Sequence, residues 1–394
     1  MDIVRKLKNL ANGVAGRFYR RDKNLWVFGE WFGSRCCDNC LYLANHIAAH
    51  HPEIQLFWIC KPDADTSLLA PSVTRLDMDS PKATEVMRHA GVAVMNQGFV
   101  DFSENGGMDC AGALTVNLWH GVPWKKIGMD GFSGTSALRR AYAAMSCRVQ
   151  TAKLYLSLSA PFSEILKSAY FVPHNRQILA GYPRNAPFYA SDSQKRGREQ
   201  VLSALRKQGE VSDDVKIITY MPTFRDTKAQ VFSFFELAED PDLTALLEKH
   251  NAVVVEKSHF VSHMRKGGAT QTAHSRIFAL SELGASQLMA GTDLLITDYS
   301  SCFFDFLITD RPIIHYVYDY DFYSQKDRGL YYPAEDVVCG DAAEDVEQLL
   351  RAIDENLSDP AKHAALRQSR RETYLTYESA DACEEIFRAI RQRQ

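Results

Sequence analysis

From residue 24 onward, short apolar runs rich in Val, Ile and Leu alternate with longer stretches of helical periodicity. Such runs, bounded by polar residues, are typical of buried strands, and their alternation with helices is typical of parallel α/β sheets. The pattern predicts helices such as Asn39–Ala49 and Pro161–Tyr170, and two successive series of strands. The first series is Leu25–Phe28, Gln55–Ile59, Val92–Met95, Leu114–Leu118, Leu154–Leu158 and Gln177–Leu179, and the second is Lys216–Tyr220, Ala252–Glu256, Leu294–Thr297 and Pro312–Tyr316.

A polar stretch rich in Ser, Lys, Arg and Gln, residues 191–200, separates the two series. We therefore predict one α/β domain over residues 24–190 and a second over residues 191–394, which ends in carboxy-terminal helices. Two such domains in succession predict a cleft between them, and ligands of open parallel sheets bind at the carboxyl ends of the strands. The chemistry is accordingly expected in the loops that follow strands.

Residues 1–23 form a separate, basic segment with a local net charge of +5. Its apolar residues recur at steps of three and four, which places them on one face of a predicted helix. A basic amphipathic helix either lies on an anionic membrane surface or packs its apolar face on its own domain, and the pattern does not choose between the two. The apolar residues are Ile3, Leu7, Leu10, Val14 and Phe18.

The composition excludes several classes of protein. The 394 residues are 46% apolar and 24% charged, with a formal net charge of −4, so the chain lacks the positive field of a nucleic-acid binder, and no nucleic-acid partner is expected. Its apolar runs are too short for a membrane-spanning helix, and the amino terminus lacks the apolar core of a secretory signal. These features predict a cytoplasmic protein.

The nine cysteines are expected to be reduced and mostly buried, because a chain of this length has a core large enough not to need disulfides. Cys36, Cys37 and Cys40 form a cluster, with His46 and His50 following on a predicted helix. Adjacent cysteines without a second pair fit zinc spacings poorly. We therefore expect no metal site.

Four loops after strands carry polar side chains, and DLLITDYSSCFFDF is the most informative. The strand ends at Thr297, a turn passes through Asp298, and Ser300 and Ser301 open a helix that contains Asp305. Free N–H groups at a helix start, together with two hydroxyls, suit a phosphate or diphosphate, and Asp305 one turn later suits ribose hydroxyls. Alternatively, the serines cap an ordinary helix.

A second loop, NLWHGVPWKKIG, presents a histidine at the end of a strand. Gly121 leaves room beside His120, whose side-chain pKa near neutrality suits removal of a proton from a hydroxyl. Lys125 and Lys126 suit phosphate charge, and Trp124 either stacks on an acceptor sugar or packs internally. A purely structural histidine is the alternative.

The third and fourth loops are YMPTFRD and VVVEKSHF. Thr223 and Arg225 follow a predicted strand, and a guanidinium pairs well with phosphate oxygens. The alternative is a weak surface pair between Arg225 and Asp226. His259 is likewise placed just past a strand.

In the order of these motifs the chain resembles the CDP-glycerol glycerophosphotransferase family, which contains teichoic-acid primases and polymerases and capsule-synthesising relatives. The similarity covers about residues 24–332. The motifs that carry it are LWHGVPWKKIG, YMPTFRD, the strand leading to His259, ITDYSSCFFDFLITDRPIIHYVYDYDFY followed by Arg328, Gly329 and Leu330, the opening VFGEWFGSRCCDN with Gly33, Asp38 and Asn39, and AGYPRN.

The resemblance implies a GT-B-type architecture, in which two Rossmann-like domains face each other across a cleft and the carboxy-terminal domain holds CDP-glycerol or CDP-ribitol. It implies that catalysis uses no metal or other cofactor, the CDP-polyol being a substrate. The implied acceptor is a lipid-linked saccharide or a phosphopolyol chain at the inner face of the cell membrane. This favours the membrane-surface interpretation of residues 1–23 and a peripheral location.

The resemblance also implies roles for the loop residues. An acceptor hydroxyl attacks the phosphorus that bears the polyol, and CMP leaves. His120 is expected to be the general base and His259 to stabilise or protonate the diphosphate, although the reverse assignment remains open. Donor binding is assigned to Thr223, Arg225, Asp298, Ser300, Ser301 and Asp305, and acceptor or phosphate binding to Gly121, Lys125 and Lys126.

Two other functions remain open at this point. A GT-B glycosyltransferase that uses a nucleotide sugar needs the same helix-start serines and strand-end histidine. A non-catalytic assembly component would keep the nucleotide pocket without turnover.

Overall fold

The computed structural model describes residues 18–104, 107–132, 136–223, 232–257, 276–320 and 329–394. These residues belong to two compact units. The first unit takes its residues from Met1–His120, Ile127–Pro187 and Leu375–Gln394, and the second from Gly121–Lys126 and Phe188–Tyr374.

The first unit is built on a seven-stranded parallel sheet with the order β3-β2-β1-β4-β5-β6-β7. The chain runs from β1 outward to β3 and then returns to place β4 on the other side of β1. The pair β1 and β4 is therefore the switch point, where loops diverge and ligands of such sheets bind. The strands are β1 Asp22–Phe28, β2 Gln55–Cys60, β3 Thr74–Asp77, β4 Ala90–Met95, β5 Leu114–Asn117, β6 Leu154–Ser157 and β7 Gln177–Leu179.

The second unit repeats this design with six parallel strands in the order β10-β9-β8-β11-β12-β13. Here the switch point lies between β8 and β11. The central strands are apolar and buried on both faces, as expected where helices cover both faces of a parallel sheet. The strands are β8 Lys216–Met221, β9 Ala252–Glu256, β10 Ile277–Ala279, β11 Leu294–Thr297, β12 Ile313–Tyr316 and β13 Asp341–Ala343.

Helices connect the strands and cover the sheets. In the first unit they are α1 Asn39–His50, α2 Pro81–His89, α3 Ala137–Gln150, α4 Ala160–Tyr170 and α12 Ala382–Arg391, and in the second α5 Ser193–Leu205, α6 Pro241–Lys249, α7 Ala285–Gly291, α8 Cys302–Phe306, α9 Ala334–Val337, α10 Val346–Ser358 and α11 Ala364–Tyr374. Among the described residues, none of the helices combines the length and the apolar character needed to cross a bilayer.

The compact units differ from the predicted division by a boundary at Pro187 in place of residue 190 and by two larger exchanges of segments. Residues Leu375–Gln394 join the first unit, because the apolar face of α12 packs there, with the Phe387 ring 5.5 Å from that of Trp26. The short segment Gly121–Lys126 joins the second unit. The basic helix predicted over residues 1–23 lies mostly outside the described residues, and it does not extend to Asp22, where β1 begins.

Candidate active site

A strained turn follows β1 at the switch point of the first sheet. Trp31 and Phe32 have φ values of 48° and 59°, in the left-handed region that non-glycine residues rarely adopt. Two side chains from the loop after β4 hold this turn. The Asn96 Oδ1 atom accepts from the Trp31 N–H at 3.0 Å, and the Asp101 Oδ1 atom accepts from the Phe32 N–H at 2.9 Å.

Asp101 also holds its own loop, because its Oδ2 atom accepts from the backbone N–H groups of Asn96, Gln97 and Gly98 at 3.0, 2.7 and 3.2 Å. Burial raises the pKa of Asp101 to about 6, and the backbone donors oppose that shift. A fully buried carboxylate with this many donors fixes the two strand-end loops against each other.

His120 follows β5 and is the central titratable group of this site. Its Nδ1 atom lies 3.2 Å from the Asn96 carbonyl oxygen. Since a carbonyl oxygen only accepts, Nδ1 carries the proton, and in the neutral ring the lone pair is on Nε2. Nε2 contacts no hydrogen-bond partner within the described part of the chain. The ring stacks on Trp119 at 4.7 Å between centroids and meets the edge of Trp31 at 5.7 Å.

The environment of His120 favours the neutral imidazole. Burial lowers the pKa of His120, and the Asp38 carboxylate partly opposes this shift. Trp119, the preceding residue, has a φ of 58° and is the third residue of this site, after Trp31 and Phe32, in the left-handed region that favours glycine. The His120 residue keeps part of its surface exposed, whereas Trp119 is buried. The structure thus presents a neutral imidazole in a fixed tautomer.

A buried ion pair between Asp38 and Arg184 supports the same loops. The Arg184 Nη1 atom donates to Asp38 Oδ1 at 2.8 Å and to the His120 carbonyl oxygen at 3.0 Å. The other Asp38 oxygen accepts from the Trp31 indole N–H at 2.8 Å. Asp38 also caps α1, because its Oδ1 accepts from the Asn39 N–H at 2.7 Å.

Asn39 completes this network. Its Nδ2 atom donates to the carbonyl oxygens of Leu118 and Trp119 at 3.3 and 2.9 Å, and its Oδ1 accepts from the Arg184 N–H at 3.2 Å. The amino terminus of α1, the loop after β5 and the segment after β7 are therefore tied together by one amide side chain.

Two polar atoms in this cluster lack partners among the described residues, namely Glu30 Oε2 and Asn96 Nδ2. Burial, with the nearby Asp38 charge, raises the pKa of Glu30 well above its usual range, while its Oε1 accepts from the N–H groups of Cys37 and Asp38. Unpaired buried polar groups are costly, so each one in a folded protein requires a physical reason.

At the switch point of the second unit, the loops after β8 and β11 meet. The Asp298 Oδ1 atom accepts from both the N–H and the hydroxyl of Thr223, at 2.8 and 2.6 Å. Asp298 is fully buried. The structure thus brings together Thr223 and Asp298, two residues that the sequence assigned to donor binding.

The serine turn after β11 also has the predicted form. Ser301 is the N-cap of α8, its side chain makes no capping hydrogen bond, and both Ser300 and Ser301 are half-buried. Asp305 lies in the first turn of α8, as predicted, but it is buried, with 3% of its surface exposed. The ribose role of Asp305 stays a prediction.

The segment Gly121–Lys126 pairs with residues 329–332 within the second unit. Lys125 forms an antiparallel bridge with Leu330, and the Lys126 N–H donates to the Gly329 carbonyl at 2.9 Å. Trp124 is buried, its ring lying 5.8 Å from that of Tyr299 and 6.1 Å from that of Phe303. Internal packing, the second alternative for Trp124, is what the structure shows.

Arg225 and His259 lie outside the described residues, so their roles stay predictions. His315, which no strand-end position in the sequence marked out, is fully buried on β12. Its Nδ1 lies 3.5 Å from the Asp298 carbonyl and its Nε2 accepts from the Cys339 N–H at 3.4 Å. Burial lowers its pKa to about 4, so it is a neutral, structural histidine beneath the Asp298 turn.

All nine cysteines are free, as predicted, and most of them are buried. Burial raises the pKa values of Cys36 and Cys40 far above the usual range. A buried neutral thiol is a poor metal ligand, since metals bind the thiolate. Cys36 and Cys40 are therefore held in this structure as neutral, buried thiols.

The family of the chain is decided by a match along nearly its whole length. The model of the family described as CDP-Glycerol:Poly(glycerophosphate) glycerophosphotransferase matches residues 15–392. The chain belongs to this family. The resemblance drawn from the motifs is confirmed, and so is the transferase class that it implies.

Individual relatives agree with this assignment. The teichoic acid glycerol-phosphate transferase of Staphylococcus aureus is 25% identical over 94% of this chain and 93% of its own length. The teichoic acid poly(glycerol phosphate) polymerase of Bacillus subtilis is 24% identical over 85% of this chain, which spans only 44% of that protein.

A solved structure of the wall teichoic acid polymerase TagF, determined with CDPG, superimposes with a TM-score of 0.77. The two chains are 21% identical, and the match covers 99% of this chain and 97% of the other. With two parallel Rossmann-like sheets in the described residues, the predicted GT-B-type fold is confirmed.

Replacing Arg184 by Ala should lower the free energy of unfolding by about 3 kcal/mol, because the Asp38 carboxylate is then buried without its cation. Urea denaturation followed by tryptophan fluorescence measures this loss. Lys167→Ala is the control, since Lys167 pairs with Glu164 in the same unit at 3.4 Å but both are mostly exposed, and such pairs contribute about 0 to 1 kcal/mol. Similar losses in both variants would contradict the structural role of the ion pair.

Proposed function

We propose that this chain transfers glycerol phosphate from CDP-glycerol to a hydroxyl group of a lipid-linked saccharide or phosphopolyol chain and releases CMP. The match covers 93% of the S. aureus protein, which is named a teichoic acid glycerol-phosphate transferase. The observation that carries the proposal is the geometry of His120, a neutral imidazole with Nδ1 fixed by the Asn96 carbonyl.

In this mechanism the acceptor hydroxyl binds beside His120 in the first unit. The Nε2 atom takes the hydroxyl proton as the oxygen attacks the phosphorus that bears the glycerol. The bond between that phosphorus and the bridging oxygen breaks, CMP leaves, and a phosphodiester forms. Phosphoryl transfer depends mainly on positioning the reactants and on stabilising charge. In this proposal, the first unit therefore supplies a rigidly held base beside the acceptor hydroxyl.

We assign the donor to the second unit. Two hydrogen bonds from Thr223 to Asp298 connect the loops after β8 and β11 at its switch point. Ser300 and Ser301 lie at the start of α8. Lys125, Lys126 and Arg225 would balance the charge of the diphosphate, and His259 would stabilise or protonate it. No step in this scheme requires a metal ion.

A panel of donors tests the proposed reaction directly. With a lipid-linked saccharide acceptor, CDP-glycerol should release CMP and increase the product mass by one glycerol phosphate. CDP-ribitol and nucleotide sugars form the comparison arms, with mass spectrometry as the readout. A sugar-sized mass gain from a nucleotide sugar alone would make the protein a glycosyltransferase, and binding of CDP-glycerol without turnover would make it a non-catalytic component; either result contradicts the proposal.

Replacing His120 by Ala should reduce kcat for CMP release about 100- to 10,000-fold, which is the usual contribution of a positioned general base. His89→Ala is a matched control, because its Nδ1 atom also contacts a backbone carbonyl, that of Arg20 at 3.0 Å, on an exposed surface. Full activity of His120→Ala would remove His120 from the mechanism.

The pH profile provides a second readout for the same residue. Because burial lowers the pKa of His120, the neutral base persists to lower pH than in a solvated histidine. The rate should fall only as the pH drops below about 6.5, the ordinary histidine value. This acidic limb should be absent from the residual activity of His120→Ala.

We also propose that the protein binds the membrane surface that carries its acceptor, and the described residues point to α3. Leu138 is 84% and Met145 62% exposed, and with Tyr142 and Val149 they form one stripe along the helix. The helix sequence ALRRAYAAMSCRVQ contains three arginines and no acidic residue. An exposed apolar stripe with basic flanks suits an anionic lipid surface. The basic helix predicted over residues 1–23, to which the sequence assigned membrane binding, falls largely outside the described residues.

Replacing Leu138 and Met145 together by Ser should weaken binding to vesicles that contain phosphatidylglycerol by about tenfold or more, because each side chain loses its burial in the lipid interface. Vesicle co-sedimentation measures the bound fraction, and neutral phosphatidylcholine vesicles should bind poorly. Leu68→Ser is the control, as a single exposed leucine elsewhere. Equal vesicle binding by the double variant and the control would show that α3 is not the membrane-binding surface.

A further inference from the structure

A cluster of two histidines and a glutamate connects α1 with α12 in the first unit. His46 is on α1, His51 directly follows that helix, and Glu384 is in the first turn of α12. We propose that these three side chains bind a divalent transition-metal ion, with Zn²⁺ as the best match. Two imidazoles and one carboxylate are the ligands that zinc binds in many proteins.

The geometry is already close to that of a bound ion. The Nε2 atoms of His46 and His51 lie 3.2 and 2.9 Å from the same oxygen, Glu384 Oε2. All three donor atoms lie within 4.8 Å of one another. Ligands of a tetrahedral zinc, each at about 2.0 to 2.1 Å from the ion, are about 3.3 to 3.4 Å apart. Small side-chain adjustments therefore admit an ion, and water completes the coordination.

The surrounding residues orient these ligands. The Arg388 Nε atom donates to the other carboxylate oxygen, Glu384 Oε1, at 2.7 Å, which turns Oε2 toward the histidines. The His51 ring stacks on Phe387 at 3.7 Å, and its Nδ1 atom lies 3.8 Å from Glu53 Oε1. A carboxylate behind a ligating imidazole is the usual second contact of a histidine bound to zinc.

The site is separate from the proposed catalytic site. Asn39, which contacts the loop of His120, is the first residue of α1, whereas His46 and His51 are 7 and 12 residues further along. At 1.5 Å per residue this places them about 10 to 18 Å away along the helix. A bound ion would therefore act on stability, by connecting α12 to α1 across more than 330 residues of sequence.

The experiment titrates chelator-treated full-length protein with ZnCl₂ by calorimetry and follows thermal unfolding. We expect one site per chain and a rise in Tm of several degrees at a hundredfold excess over Kd. Co²⁺ should give the visible absorption of a site with nitrogen and oxygen ligands, without a thiolate charge-transfer band. Absence of saturable binding, or a thiolate band, would overturn the proposal.

Variants assign the ligands. His46→Ala and Glu384→Gln should each weaken Zn²⁺ binding at least 100-fold, and Glu53→Gln about tenfold as a positioning residue. The metal-free Tm of each variant shows whether it folds. His250→Ala is the matched control, because His250 contacts Asp354 at 2.6 Å without a second imidazole. Unchanged binding in His46→Ala or Glu384→Gln would show that these groups form only a histidine and carboxylate ion pair.

Discussion

The buried ion pair between Arg184 and Asp38 is the interaction on which the candidate site depends. One guanidinium nitrogen contacts both the Asp38 carboxylate and the His120 carbonyl, and the second Asp38 oxygen holds the Trp31 indole. The pair therefore links the segment after β7 to the loops after β1 and β5. Removal of either partner leaves a charge in a region of low dielectric, so the two residues are constrained together. The position of His120, the base in the proposed mechanism, follows from this constraint.

Much of the fold could be predicted from the sequence, because the central strands of a parallel sheet are buried on both faces and so have continuous apolar runs. All ten predicted strands are present. The three strands that the sequence analysis missed, β3, β10 and β13, each lie at the edge of a sheet. An edge strand has a neighbour on one side only, and sequences such as TRLD and DAA have few apolar residues. The position of α12 could not be predicted either, since an amphipathic pattern shows that a helix packs but not on which unit.

The candidate site could be predicted in part, for a similar reason. Parallel topology brings the carboxyl ends of strands together. His120, Thr223 and Asp298 could therefore be predicted as candidate site residues from their positions after strands. Asn96 and Asp101 were missed, although NQGFVD after β4 carried the relevant signal, a polar cluster at a strand end. Their role is to accept hydrogen bonds from a strained backbone in a different loop. Such a role depends on φ values that the sequence does not encode locally.

The strained residues explain why the site needs so many buried polar groups. Trp31, Phe32 and Trp119 each adopt a left-handed conformation, at a cost of roughly 1 to 3 kcal/mol apiece. Trp31 and Trp119 contact the His120 ring. The turns are held by hydrogen bonds that Asn96 and Asp101 accept from the Trp31 and Phe32 N–H groups and that Asn39 donates to the Trp119 carbonyl. The apolar sheet beneath supplies the stability that offsets this strain. Because the turns are already held, the proton removal proposed for His120 would need little reorganisation of its imidazole, which is the condition for an efficient base.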